Sequence, residues 1–393
     1  MRILLYSNPI WGKTGYSSAA KHLLTHLNNL GHEVAMFVNY GLKGGAISAD
    51  GMVFYPTYID VWGNDLMQAH ANDFRADLII TIYDAWPLKF EKFTTPTAAW
   101  APIDHQPAPD DVLKALTHAN WPISFSEFGQ GELVKAGLKD ARFIPLGVDC
   151  EVYKPLPQAE ARDRLGLPQG KFIVGMVGTN VTYPTRKCIP QVLAAFQRFN
   201  ECYPDSLLYL HTEETGQQGK GIKVSSLLNN LNLGPDKVRL CDQYHNAIGF
   251  PESYMVDVYN AIDLLAQPSM SEGFGLPIIE AQACGTLVLT NDCTSMTELL
   301  AGGWLITDYE RWWSQQMAWQ VIPHEKAIIE AFEDAYRLKH GHEREPDGGE
   351  WTKRKTTARQ YTVAGYDFKT QIAPRWTQFL TEIEPELAIP VKA

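Results

Sequence analysis

The 393-residue sequence predicts an α/β protein made of two doubly wound, Rossmann-like domains. Three observations carry this. The chain is too long for one hydrophobic core. Short apolar runs alternate with helical patterns in two separate series, one from the first residues and one from near Lys171. Between them, residues 155–170 carry three prolines and a polar run, which reads as a linker.

The first series opens with an apolar run at 3–6, followed by turn-formers and glycine at 8–16. Leu23, Leu24, Leu27 and Leu30 then recur at helical spacing, Gly31 fits the residue that ends a helix, and 34–38 is the next strand. A strand–helix–strand unit of this kind implies a parallel sheet covered by helices. Further buried strands are expected at 78–82, 98–101, 122–125 and 143–145.

The second series begins with a strand at 172–177. Pro190 suits the first turn of a helix that carries Leu193, Phe196 and Phe199. Strands follow at 207–210 and 238–240, then a helix around 254–261, a strand at 264–267, a helix from Pro277 and a strand at 287–290. The polar, Gly-rich stretch 341–349 reads as a loop. Trp376, Phe379, Leu380 and Ile383 have the spacing of a final helix. The expected division is a first domain over 1–160, a second over 161–370 and a C-terminal helix over 371–393. Ligands of such sheets sit outside the carboxyl ends of the strands, here in a cleft between the domains.

Composition narrows the function. With 45% apolar and 20% charged residues, the chain reads as globular. A formal net charge of −11 argues against a general nucleic-acid binder, though not against a local basic cleft. The six cysteines form no C-x-x-C pair and read as buried thiols in a reducing compartment. The apolar run at the N-terminus is too short for a signal peptide, and no stretch approaches a membrane span. A cytoplasmic location is expected.

The most informative stretch is Ser269-Met270-Ser271-Glu272-Gly273-Phe274-Gly275-Leu276-Pro277, followed by Glu280. It leaves a buried strand and opens a helix. Gly273 and Gly275 allow close approach of the backbone to a ligand. Free N–H groups at the helix start favour an anion such as a diphosphate. The flanking carboxylates suit hydroxyls better than phosphate, and a sugar nucleotide offers two hydroxyl sets, on the ribose and on the sugar.

These residues resemble the E-x7-E motif of retaining family 4 glycosyltransferases, which have the GT-B fold. Glu272-Gly273-Phe274-Gly275-Leu276-Pro277, Glu280-Ala281 and Ala283-Cys284-Gly285 all fit that signature. Ser126-Glu127-Phe128-Gly129 with Ile144-Pro145-Leu146-Gly147-Val148-Asp149, and Tyr259-Asn260-Ala261-Ile262-Asp263, resemble two further family segments. The resemblance implies two Rossmann-like domains facing across a cleft, with the C-terminal helix returning to the first. It implies that Glu280 holds the ribose, and that Glu272 with the amides of Gly273, Phe274, Gly275 and Leu276 holds the donor sugar and diphosphate. It also implies an Arg and a Lys after the first strand of the second domain. Lys187 fits the Lys. Asn180 stands at the Arg position, and Arg186 is either its replacement or a surface ion-pairing residue.

In the first domain, Ser7-Asn8-Pro9-Ile10-Trp11-Gly12-Lys13-Thr14 ends like a phosphate-binding loop, but it lacks the leading Gly and has Pro9 where a free amide is needed. By the resemblance, Gly15 belongs to the loop facing the donor diphosphate; the alternative is a plain turn. His105, in Trp100-Ala101-Pro102-Ile103-Asp104-His105, would contact the donor sugar near the reaction centre; the alternative is a loop His satisfied by Asp104. Asp84, Trp86 and Asp104 are acceptor-side candidates, since aromatic faces stack on sugars.

The implied reaction moves a sugar from a nucleoside-diphosphate sugar to a hydroxyl of a saccharide or glycoconjugate with retention. His105, Lys187, Arg186 and Glu272 form its catalytic set. No D-x-D loop and no His/Cys set has metal-ligand spacing, so no metal and no cofactor beyond the donor is expected. The open alternatives are another GT-B enzyme, a non-catalytic sugar-nucleotide-binding protein, and a transferase acting on a modified nucleic-acid base. The last would draw on the basic run Lys353-Arg354-Lys355 with Arg359, a pattern more usual on a solvated helix face.

Overall fold

The computed structural model describes residues 1–216, 220–342 and 349–387. Most of the expected loop at 341–349 and the last six residues of the expected C-terminal helix lie outside them. The chain forms two compact units. One comprises Met1–Gly147, Gln316–Ala318 and the chain from Phe368. The other comprises Val148–Gln315 and Trp319–Asp367.

The first unit runs β1 (Arg2–Ser7), α1 (Gly15–Asn29), β2 (Glu33–Val38), β3 (Ile47–Ala49), β4 (Met52–Tyr55), α2 (Met67–Phe74), β5 (Leu78–Ile82), β6 (Thr97–Ala101), α3 (Asp110–Leu116), β7 (Trp121–Ser124), α4 (Glu127–Lys135) and β8 (Arg142–Phe143). Its eight strands lie in the order β3-β4-β2-β1-β5-β6-β7-β8, parallel apart from the β3–β4 pair. Strands β1, β5 and β6 are buried almost throughout, as a sheet covered on both faces requires.

The second unit runs α5 (Gln158–Leu165), β9 (Phe172–Val177), α6 (Ile189–Cys202), β10 (Ser206–His211), α7 (Val224–Asn230), β11 (Val238–Leu240), α8 (Gln243–Ile248), α9 (Glu252–Ala261), β12 (Leu264–Gln267), α10 (Leu276–Ala283), β13 (Leu287–Asn291), α11 (Ser295–Leu299), β14 (Trp304–Ile306), β15 (Tyr309–Trp313), β16 (Trp319–Pro323), α12 (Glu325–His342) and α13 (Gly349–Tyr366). Six parallel strands lie in the order β11-β10-β9-β12-β13-β14, and β15–β16 is a separate antiparallel hairpin. Pro190 sits in the first turn of α6, whose Val192, Leu193, Phe196 and Phe199 pack into the core.

Helix α14 (Ala373–Leu387) belongs to the first unit. Its Trp376 is fully buried edge-on against Trp100, with ring centroids 4.9 Å apart, and Phe379 lies against Trp121. The helical spacing of Trp376, Phe379, Leu380 and Ile383 is therefore a buried stripe.

The stretch 155–170 is not a free linker, and the expected boundary at 160 falls inside the second unit, which starts at Val148. Its centre is α5, which packs along α9. Arg162, 2% exposed, donates to the carbonyls of Ala261, Gln169 and Lys171 and to the Asp263 carboxylate at 2.9 Å. Asp263 also accepts from Lys339 and from the backbone of Ile173. A polar helix is thus locked to the sheet by a satisfied guanidinium. Arg162→Ala leaves Asp263 and three carbonyls short of a donor. It is expected to lower the unfolding free energy of the second unit by about 3–5 kcal/mol, measured by urea titration.

Candidate functional site

In the second unit the chain winds outward from β9 through β10 to β11, then returns to β12 on the other side of β9. The loops leaving β9 and β12 therefore diverge at a topological switch point, where open α/β sheets bind ligands. The loop after β9 carries Asn180, Arg186 and Lys187; the loop after β12 carries Glu272 and leads into α10.

Gly275 is the N-cap of α10 at φ 114°, a left-handed conformation that disfavours any side chain. Pro277 lies in the first turn, where its missing N–H costs nothing. The amides of Gly273, Phe274, Gly275 and Leu276 donate to none of the described residues. The Ser295 hydroxyl donates to the carbonyls of Glu272 and Phe274, and Thr294 Oγ1 accepts from the Glu272 amide. The N-terminal end of α11, with its cap residue Thr294, thus braces the turn. Neither residue was a sequence candidate, because their contacts run more than twenty positions along the chain.

Glu272, Arg186 and Lys187 come together at this turn. The Glu272 carboxylate, 6% exposed, takes Arg186 Nη1 on one oxygen at 2.9 Å and Lys187 Nζ on the other. Arg186 also donates to the Ser271 carbonyl at 2.6 Å, and its own carbonyl accepts from the Met270 amide. Burial alone would raise the Glu272 pKa, but the two cations hold it well below the usual carboxylate range. Burial pulls Lys187 down, against the pull of Glu272. The Arg186 guanidinium lies at the Glu272 turn. Asn180 is fully buried and braces two loops, its side chain donating to the Glu213 and Ile222 carbonyls and accepting from the Ile222 amide.

Glu280 lies farther along α10 and takes a different partner, the Tyr259 hydroxyl at 2.7 Å. Tyr259 belongs to the motif at 259–263, but its contact with Glu280 was not legible there. Burial pushes Glu280 up to about 7, opposed by the hydrogen bond from Tyr259. At the end of β12, Gln267 is buried with neither side-chain amide atom paired to a described residue, the mark of a polar group kept for water or ligand.

The remaining candidates lie in the first unit, also around a switch point, between β1 and β5. Gly15 opens α1 behind the N-cap Thr14, whose hydroxyl accepts from Ser17. In the preceding loop the Gly12 amide is spent on the Pro9 carbonyl, so this is no phosphate-cradling loop of the nucleotide-hydrolase kind. His105 is buried, with Nδ1 2.6 Å from the Asp104 carboxylate, while Nε2 has no partner among the described residues. Burial, with the carboxylates of Asp84 and Asp104, pushes the Tyr16 hydroxyl well above its ordinary value. Trp86 is 54% exposed and packs edge-on against Trp62.

The basic run on α13 is divided, with Lys353 exposed and the others engaged within the chain. Arg359 donates to the carbonyls of Ala283, Tyr153 and Cys150; Arg354 pairs with Glu350; and burial lowers the pKa of Lys355. Among the described residues, no group of three or more His, Cys, Asp or Glu side chains suits a metal ion, and no helix is long and apolar enough to cross a membrane.

Glu280 carries a pH signature. Its folded pKa of about 7 lies above its ordinary 4.5, so the folded state binds that proton more tightly. The stability it contributes is full below pH 4.5 and is lost as the pH rises through 7. Thermal denaturation of the ligand-free chain between pH 4.5 and 8 should show this fall, and Glu280→Gln should flatten it.

Several known proteins are similar to this chain. D-inositol 3-phosphate glycosyltransferase of Gordonia bronchialis is 33% identical over 193 residues, 48% of this chain and 41% of the relative. The Nocardia farcinica protein of the same name is 33% identical over 160 residues, 41% and 34% of the two chains. The chain thus spans less than half the length of these curated relatives. Among solved structures, sucrose-phosphate synthase from Thermosynechococcus elongatus matches at TM-score 0.76 and 20% identity, over 98% of this chain and 100% of that one. Anabaena HepE, solved with UDP and glucose, matches at 0.69 and 16%, over 97% and 100%. These likenesses establish the fold, a two-domain α/β arrangement of the GT-B type with parallel sheets. Residues 235–312, which contain the whole turn from Glu272 to Glu280, match the family described as glycosyl transferases group 1, and in that segment the chain is similar to the family.

Proposed function

We propose that the chain is a glycosyltransferase that moves a sugar from a nucleoside-diphosphate sugar to a hydroxyl of a saccharide or glycoconjugate. One observation carries the reading. Glu272 is buried between Arg186 and Lys187 at a turn whose amides point free at the start of α10, with Glu280 on the same helix. Two cations against one carboxylate leave a net positive site, reinforced by the helix dipole, and that suits a diphosphate. The match of residues 235–312 to group 1 glycosyl transferases supports the same reading.

In this scheme Glu280 accepts the ribose hydroxyls, the amides of Gly273, Phe274, Gly275 and Leu276 hold the diphosphate, and Glu272 orients the sugar and both cations. Arg186 and Lys187 neutralise the leaving diphosphate. The family resemblance assigns His105 to the donor sugar and Gly15 to the diphosphate. Asp84, Trp86 and Asp104 contribute to the acceptor side. The anomeric carbon–diphosphate bond breaks while the acceptor oxygen bonds the same face, and the acceptor proton passes to the leaving phosphate. We further propose that the reaction retains configuration, needs no metal, and takes place in the cytoplasm. The six cysteines, all unpaired, fit a reducing compartment.

Titration with uridine, guanosine and adenosine diphosphate sugars tests the donor. The reading fails if none binds at millimolar concentration. With the donor that binds, Glu280→Ala should weaken even the free nucleoside diphosphate. Glu272→Gln should keep that affinity and lose the increment added by the sugar. Equal loss in both would refute the division of roles. Lys187→Ala should lower kcat about 10²–10³-fold, the effect of removing a charge that meets the transition state.

A further inference from the structure

The hairpin β15–β16 has no part in the site as described, and its two faces differ. Its register sets Arg311 opposite Val321, Trp312 opposite Gln320, and Trp313 opposite Trp319. Directly opposed residues of antiparallel strands project from the same face, and neighbours along a strand from opposite faces. One face therefore carries Arg311, Trp313 and Trp319, which pack on one another although Trp313 remains 47% exposed. Trp313 and Trp319 meet edge-on at 4.9 Å, and the Arg311 guanidinium lies 4.2 Å over the Trp319 ring.

The other face carries Glu310, Trp312 and Gln320, with Trp312 41% exposed. This face adjoins the Glu272 turn. Gln320 Nε2 donates to Ser271 Oγ at 2.7 Å, and the Val321 amide donates to the Met270 carbonyl at 3.0 Å. Strand β16 is thus clamped to the segment leading into Glu272, and β15 lies one strand farther out. At about 4.8 Å per strand, Trp312 stands on the order of 10 Å from Ser271, beyond the reach of a sugar held at Glu272 itself.

We propose that Trp312, flanked by Glu310 and Gln320, forms a saccharide subsite. It stacks on a sugar ring of an oligosaccharide acceptor, at least one residue removed from the reacting hydroxyl. An uncovered indole offers a flat apolar face for the C–H side of a pyranose. Glu310 and Gln320 on the same face offer an acceptor-only carboxylate and a two-way amide for the ring hydroxyls. The carboxylate also disfavours an anionic lipid surface as the occupant. The proposal rests on the transferase reading, so its test must separate the two.

Isothermal titration of the full chain with glucose and with the α-1,4- and β-1,4-linked gluco-oligosaccharides of two to four residues provides that test. The wild-type chain should gain about five- to tenfold in affinity from one residue to four. Trp312→Ala should abolish the gain with length, and Trp312→Phe, which keeps a ring, should retain most of it. The subsite is overturned if Trp312→Ala preserves the gain, if Trp312→Phe loses it as fully as the Ala variant does, or if no probe binds the wild-type chain. Parallel titration of the wild-type chain with the three classes of nucleotide sugar keeps the readings apart. Failure there removes the transferase reading. Donor binding without a Trp312-dependent gain removes only the subsite.

Discussion

The Glu272 carboxylate, buried between a guanidinium and an ammonium, is the interaction on which the arrangement of the second unit's site depends. Lys187 is 8% exposed, and an ammonium so placed needs a charged partner. Its partner lies 85 positions along the chain, on the loop leaving a different strand. The ion cluster, together with the backbone hydrogen bond from the Met270 amide to the Arg186 carbonyl, therefore pins the loop after β9 to the loop after β12 at a switch point where neighbouring loops diverge. Arg186 reinforces the join through the Ser271 carbonyl, and Ser295 and Thr294 fix the turn from the α11 side. The buried pair is costly to desolvate and adds little to stability by itself. What it supplies is position.

The spacing of the two carboxylates follows from the helix. Gly275 and Pro277 force α10 to start at Leu276, so Glu280 sits four residues in, about 6 Å along the axis. Glu272 stays on the turn before the helix. The free amides between them occupy the interval, which is the order a sugar, a diphosphate and a ribose would need. The two carboxylates are also tuned in opposite directions. Two cations keep Glu272 ionised, whereas Glu280 has only the Tyr259 hydroxyl and is pushed up to about 7. Two glutamates eight positions apart are therefore electrostatically different groups.

Most of the parallel core was legible in the sequence because a strand buried on both faces is a continuous apolar run between turn residues, as at 78–82 and 264–267. The α10 turn was legible through its glycines and proline. Helix α5 was not, because its sequence is polar and its anchor is Arg162, a residue type that periodicity counts as solvent-facing. The hairpin β15–β16 was missed because tryptophans project from both of its faces, which erases the alternation that identifies a half-buried strand. Tyr259 on Glu280 and Ser295 on the turn were invisible because each contact joins residues far apart in the chain.

Asn180 and Arg186 stand at opposite ends of the loop after β9 and make different kinds of contact. Asn180 makes four hydrogen bonds: its amide donates to the Glu213 carboxylate, and its side chain donates to the Glu213 and Ile222 carbonyls and accepts from the Ile222 amide. Those bonds stiffen the loop whose far end carries Arg186 and Lys187. The Arg186 guanidinium, six residues later, meets the Glu272 turn from the other end of that loop, beside the Lys that shares its carboxylate. The brace runs through Glu213 and Ile222, and both cations meet the Glu272 carboxylate. The buried anion that gathers both cations, Glu272, thus fixes where the positive charge of this loop is held, while the Asn180 bonds fix the path of the chain that carries it.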